Sequence, residues 1–197
     1  MGDFHGKFPK KIKSIIKKEN VDVVVSTGDY LPFSYRKLWF KHCYGKDLQL
    51  WEVIGKEKYK KLILRDLKAG ENVLKKMNNL PIPVITVLGN VDYPSSDDIM
   101  DEKKPKGERY WDWEYKRDFA IKNSIKKYHN IKLINYSALK INDFIFIGAR
   151  THSAPGDVKS KAFKKSMKIL KKLFNKFKKE NNEKKVIFVA HNVPYNT

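Results

Sequence analysis

The chain has 197 residues, a single cysteine and a formal charge of +20 from 42 basic and 22 acidic side chains. That length supports one domain with its own apolar core, and lone Cys43 excludes an internal disulfide framework. With no charged-then-apolar leader after Met1 and no uncharged apolar run near the roughly 18 residues of a membrane span, the chain reads as intracellular and cytoplasmic with no membrane partner.

The charge invites a nucleic-acid partner, because clustered cations release counterions from a phosphate backbone. Only five basic residues are arginine (Arg36, Arg65, Arg109, Arg117 and Arg150), whose planar fork suits phosphate. Lysines scattered along every helix fit a compositional bias better than a polyanionic partner.

Met1 to Gly6 carries two potential ligands, Asp3 and His5, with no strand before them. Alone, the pair reads as a solvated terminus. In a doubly wound domain such a pair follows a strand, so a first strand is expected upstream or absent. Ile12, Ile15 and Ile16 sit at helical spacing between Phe8 and Glu19, with lysines opposite. The β-branched run from Val21 predicts a buried strand at Val23 to Val25, which ends in Gly28-Asp29. A parallel strand among helices presents its functional loops at its carboxyl end, so Asp29 is aimed at a crevice.

More than fifty residues precede the next clear strand. Residues 31–60 are aromatic-rich (Tyr35, Trp39, Phe40, Tyr44, Trp51), an insertion expected to form a satellite core under a long loop or a cap over the site. Interleaved with Arg36, Lys37 and Lys41, the same rings are also suited to stacking bases. Glu57 to Asn78 predicts a long amphipathic helix with Leu62, Leu67, Val73, Leu74 and Met77 on its apolar positions.

The strand pattern recurs twice: Pro83 to Leu88 runs into Gly89-Asn90-Val91-Asp92, and Lys185 to Ala190 runs into His191-Asn192. Between them Asp97, Asp98, Asp101 and Glu102 lack the spacing and glycine of a calcium loop and read as solvated. Tyr110 to Tyr128 predicts a helix. Short strands follow at Lys132 to Asn135 and Ala138 to Ile141, then a hairpin turn at Asn142-Asp143 and a strand at Phe144 to Gly148. Arg150 and His152 occupy the loop after it, where substrate contacts can lie, although such residues are usually only a loop. Ala162 to Lys179 predicts an amphipathic helix docked on the sheet through residues such as Met167 and Leu170. No repeat or linker divides the chain, so residues 1–197 are expected to form a single domain.

Asp3-x-His5, Gly28-Asp29, Gly89-Asn90 and Ala190-His191 together make a carboxylate, amide and imidazole set, which suits Mn, Fe, Zn or Ni. With two oxygens, Asp29 can bridge two ions. This order of motifs, each at a strand end, resembles the calcineurin-like metallophosphoesterase family. The family's pattern is Asp-x-His, Gly-Asp, Gly-Asn-His-Asp/Glu, a later His and a final Gly-His-x-His. The resemblance implies an α/β architecture, a layered β-sheet core flanked by helices. It also implies two divalent cations, Mn²⁺ first among them, with Asp3 and His5 at one, Asn90 and His191 at the other, and Asp29 between.

The implied activity is hydrolysis of phosphate esters, diesters in particular, by a hydroxide bridging the metals. The chain departs from the pattern by lacking the first strand and the final Gly-His-x-His, and is expected to be incomplete at both ends. Val91 also stands where the family has its leaving-group histidine. The alternatives are a phosphoesterase fold reused as a protein-interaction scaffold, which Val91 favours, and a nuclease-like enzyme, which the charge favours.

Overall fold

A computed structural model describes residues 1–92, 111–113, 120–150 and 161–191. The expectations for Asp97, Asp98, Asp101, Glu102 and His152 fall outside the described residues.

Two three-stranded sheets form the centre. The first is all parallel, in the order β1 (Val24–Ser26), β2 (Val84–Thr86), β3 (Ile131–Leu133). The second holds β4 (Ala138–Ile141), β5 (Phe144–Ala149) and β6 (Val186–Ala190), with β4 antiparallel and β6 parallel to β5. Side chains alternate across a strand, so each sheet presents two faces. Val24, Val84 and Ile131 pack with Ile16, Leu74 and Met77 on the helical side, while Ile85 and Val87 meet Phe146 and Val189 of the other sheet. On the far side Ile145, Ile147 and Ala149 pack with Leu170 and Phe174. The layers therefore run helix, sheet, sheet, helix.

Among the described residues the helices, in chain order, include α1 (Ile12–Lys18), α2 (Arg36–His42), α3 (Leu50–Ile54), α4 (Lys56–Asn78), α5 (Ala120–Ile125), α6 (Lys161–Lys176) and α7 (Lys178–Asn182). α4 is as long as its apolar period predicts, and buries Ile63, Gly70, Val73, Leu74 and Met77 along one stripe. α1 begins at Ile12 rather than at Phe8; Phe8 precedes Pro9, which holds it away from helical angles, and Lys10 and Lys11 form a turn. The hairpin between β4 and β5 turns at Asn142, which takes φ 52°.

Tyr35, Cys43, Leu50, Tyr59 and Ile63 form a separate buried cluster with Trp39, Trp51, Trp111 and Trp113 around it. The aromatic-rich insertion thus has its own small core.

The strands that end in Asp29, Asn90 and His191 are divided between the two sheets: β6 belongs to the second, because its parallel partner is β5. The strand before His191 reads as buried in the sequence, but β6 is not: Ile187 and Phe188 are both 38% exposed and only Val189 enters the core between the sheets. β1 is buried as its β-branched run predicts, and β2, the middle of the sheet, is more completely buried still. In α6, Met167 stays exposed, and the docking stripe runs through Leu170, Leu173 and Phe174.

The opening residues occupy the edge where a first strand was expected. The Met1 amino group donates to Val25 O at 2.7 Å, Thr27 N–H to Met1 O at 2.8 Å, and Asp3 N–H to Gly28 O at 3.0 Å. Phe4 is buried and stacks on Tyr30 with centroids 5.5 Å apart, so its neighbours Asp3 and His5 are left outside the core. This burial gives Asp-x-His its spacing.

Candidate metal centre

Asp29 hangs from the carboxyl end of β1, and Asn90 to Asp92 from that of β2. The two loops touch because both carry glycine at the contact. A Cβ on Gly28 would lie 2.2 Å from Gly89 N, and one on Gly89 would lie 2.0 Å from Asp29 Oδ1. Asp29 itself takes φ 60°, and Asp3 and His5 take 53° and 44°. Left-handed backbone at a non-glycine residue costs roughly 1–2 kcal/mol and persists only where the surroundings enforce it.

Asp92 supplies much of that enforcement. Its carboxylate accepts Asp29 N–H at 2.8 Å and Gly89 N–H at 2.9 Å on Oδ2, and Tyr30 N–H at 2.7 Å on Oδ1. One buried side chain therefore clamps both loops. Burial pushes its carboxyl up to about 7, opposed by the Gly89 N–H, reinforced by the Asp29 charge, and opposed again by the other two N–H donors. The sequence reading gave Asp92 no role, although a carboxylate two positions after Asn90 was its visible signal.

A directional chain of hydroxyls holds the loop from beneath. Gly28 N–H reaches Ser26 Oγ at 3.4 Å, Ser26 Oγ bonds Tyr30 Oη at 2.9 Å, Tyr30 Oη bonds Thr86 Oγ1, and Thr86 donates to Val87 O at 2.9 Å. Burial raises the Tyr30 phenol well above its usual range, so it stays protonated and available to donate.

The other four residues of the ligand set, Asp3, His5, Asn90 and His191, lie around Asp29. On one side Asp3, His5 and Asp29 each offer a ligand atom within 4.8 Å of the others, and His5 Nε2 lies 4.0 Å from Asp3 Oδ1. On the other side His191 Nε2 lies 2.8 Å from Asn90 Oδ1 and 3.6 Å from Asp29 Oδ1. His191 Nδ1 faces Thr27 O at 2.7 Å. A carbonyl only accepts, so Nδ1 carries a proton, which leaves Nε2 as the nitrogen free to ligate a metal.

That arrangement tests whether a cation fits. His191 Nε2 and the Asn90 amide oxygen converge beside the buried Asp29 carboxylate. A divalent cation among these atoms satisfies all three, and a mixed oxygen and imidazole set suits Mn, Fe, Zn or Ni. Burial pushes the Asp29 carboxyl up; the Val91 N–H at 3.1 Å and His191 counter this, Asp3 adds to it, and His5 lowers it.

A cleft of about 830 Å³ is lined by His5, Asp29, Asn90 and Val91 of this centre together with Arg36, Trp39 and Phe40 of α2. Val91 lies in its wall, so no imidazole stands beside the site at that position. Arg150 does not line the cleft.

The folded arrangement defines a class: a two-sheet sandwich flanked by helices, with acidic, amide and imidazole groups gathered at its strand ends. The family model for calcineurin-like phosphoesterases matches residues 1–197, and the chain belongs to that family. A solved crystal structure is similar, with a TM-score of 0.60 at 15% identity, covering 100% of this chain and 68% of the other. At that identity the likeness shows the fold alone. No curated protein matches. The family consists of metal-dependent phosphoesterases, and membership supports that general activity here. Among the described residues no helix is long and apolar enough to cross a membrane.

Proposed function

We propose that this chain hydrolyses phosphodiesters with two divalent cations, Mn²⁺ first among the candidates. One would be held by Asp3, His5 and Asp29, and the other by Asp29, Asn90 and His191. The observation that carries this reading is the place of Asp29, whose carboxylate is common to both groups of ligand atoms. When bound, such a pair of cations supplies a nucleophile at neutral pH and neutralises charge on the phosphoryl oxygens.

The chain's own residues do the rest. Asp92 fixes Asp29 by its backbone, Val91 N–H holds one Asp29 oxygen, and Thr27 fixes the His191 tautomer. No proton donor stands at Val91, so the leaving group departs without general acid help from that position. This favours esters with good leaving groups, since general acid catalysis contributes about 10²- to 10⁴-fold.

The first test is Mn²⁺-dependent hydrolysis of bis-p-nitrophenyl phosphate by the wild type beside Asp29→Asn. Turnover lost in the variant supports the reading. Absence of turnover in wild type that demonstrably holds Mn²⁺ would instead support a protein-interaction scaffold, the role that Val91 favours. Val91→His should raise turnover of an alkyl diester about tenfold or more and change bis-p-nitrophenyl phosphate hydrolysis little. An equal effect on both substrates would show that the position does not serve the leaving group.

A further inference from the structure

The cleft is lined by two chemically different groups of residues. Beside Asp29 and Asn90 it suits an anion held by cations. Into the same cleft α2 and the turn after it present three mutually contacting rings: Trp39 to Phe40 at 5.2 Å, Trp39 to Tyr44 at 5.8 Å and Phe40 to Tyr44 at 5.0 Å between centroids. Phe40 and Tyr44 are 45% and 63% exposed, although the satellite core built by Tyr35, Cys43 and Leu50 lies close by. Clustered apolar exposure in a concave wall marks a binding surface more often than a packing fault.

Arg36 lies over the Phe40 ring, its guanidinium carbon 5.4 Å from the centroid, and also lines the cleft. Among the described residues no carboxylate pairs with it. The occupant must therefore join a phosphodiester to a flat, π-bearing group. Aliphatic chains would gain burial here but nothing from the ring faces or the guanidinium plane. A volume of about 830 Å³ suits a single small ligand rather than a strand.

Resting on the phosphodiesterase reading above, we propose that Arg36, Trp39, Phe40 and Tyr44 form the subsite for the base of a nucleotide phosphodiester. The substrate class is then a small diester with a nucleoside on one side of phosphorus.

The test compares three esters with one leaving group: thymidine 5′-p-nitrophenyl phosphate, hexyl p-nitrophenyl phosphate and methyl p-nitrophenyl phosphate. kcat/KM for the thymidine ester should exceed that for the other two by about tenfold or more, as stacking on exposed rings commonly gives. Phe40→Ala/Tyr44→Ala should bring that ratio close to one. Leu64→Ala, which removes an exposed apolar side chain of α4 outside the cleft, should leave it intact.

Calorimetric titration with thymidine 5′-monophosphate gives a readout independent of turnover. Ring-dependent binding without hydrolysis of any ester would sustain the subsite and overturn the activity. Hydrolysis of all three at similar kcat/KM, or a hexyl ester as good as the thymidine ester, would overturn the subsite and leave the activity standing.

Discussion

Asp92→Ala is expected to cost about 2–4 kcal/mol of stability together with most of the metal-dependent activity. The carboxylate is 1% exposed and accepts three backbone N–H groups. Each buried donor left without a partner costs about 1–3 kcal/mol, partly offset because a costly buried carboxyl is removed. In a domain of this size the loss should appear as a melting temperature lowered by about 5–15 °C.

Asp92→Asn, close to isosteric, should also fail. Its amide N–H₂ must face at least one backbone N–H, and the clamp on Asp29 slackens. A pH comparison separates this clamp from generic packing. Burial holds the Asp92 carboxyl up to about 7, so in chelator the folded state keeps a proton that the unfolded state has lost. This contribution is present below the unfolded carboxylate range near 4 and fades as pH rises through about 7. The gap in stability between wild type and Asp92→Ala should therefore narrow from pH 5 to pH 8. A gap that stays constant would show that the carboxyl is ionised throughout.

Gly89→Ala should lower Mn²⁺-dependent turnover about a hundredfold, the loss expected when a reacting group is misplaced by about 1 Å. The new methyl would lie 2.0 Å from Asp29 Oδ1 and 2.6 Å from Asp29 N, so the carboxylate or its loop must move. Gly55→Ala is the comparison. Gly55 takes φ 84° in open space, so alanine there strains the backbone by about 1–3 kcal/mol and touches nothing near the site. It should lower the melting temperature while turnover per folded molecule stays unchanged. Equal activity of the two variants would mean that the Gly28–Gly89 contact does not position Asp29.

Much of this centre was legible because each motif is local. A β-branched run ending in Gly28-Asp29, Gly89-Asn90 or Ala190-His191 states both its strand and the end where its polar group emerges. The long α4 stripe was legible for the same reason, since its period lies within a few turns of one helix. What escaped depends on separations that a single segment cannot encode. Asp92 clamps backbone 62 and 63 positions away, so its place after Gly89-Asn90 marks it as part of the motif but does not state which N–H groups it holds. The division of the strands between two sheets is a choice of pairing partner, fixed by Ile85 and Val87 meeting Phe146 and Val189 across the sandwich. The aromatic insertion was recognisable as a group of rings, but which of them would be buried was decided by contacts with Tyr59 and Ile63 of α4.

The seam between the sheets gives the centre a thermodynamic role as well as a chemical one. His191 follows the end of β6, while Asp29 and Asn90 belong to the first sheet, and their side chains meet across the open edge of the sandwich. If they share a cation, ligation and the docking of β6 become one linked equilibrium, and whatever affinity the cation gains from a docked strand it returns as protection of that strand. β6 has Ile187 and Phe188 at its surface, so it is the natural place for that reciprocity to be seen. Exchange of the Val186–Ala190 amides with solvent deuterium should slow when metal is added, giving a measure of occupancy that needs no substrate.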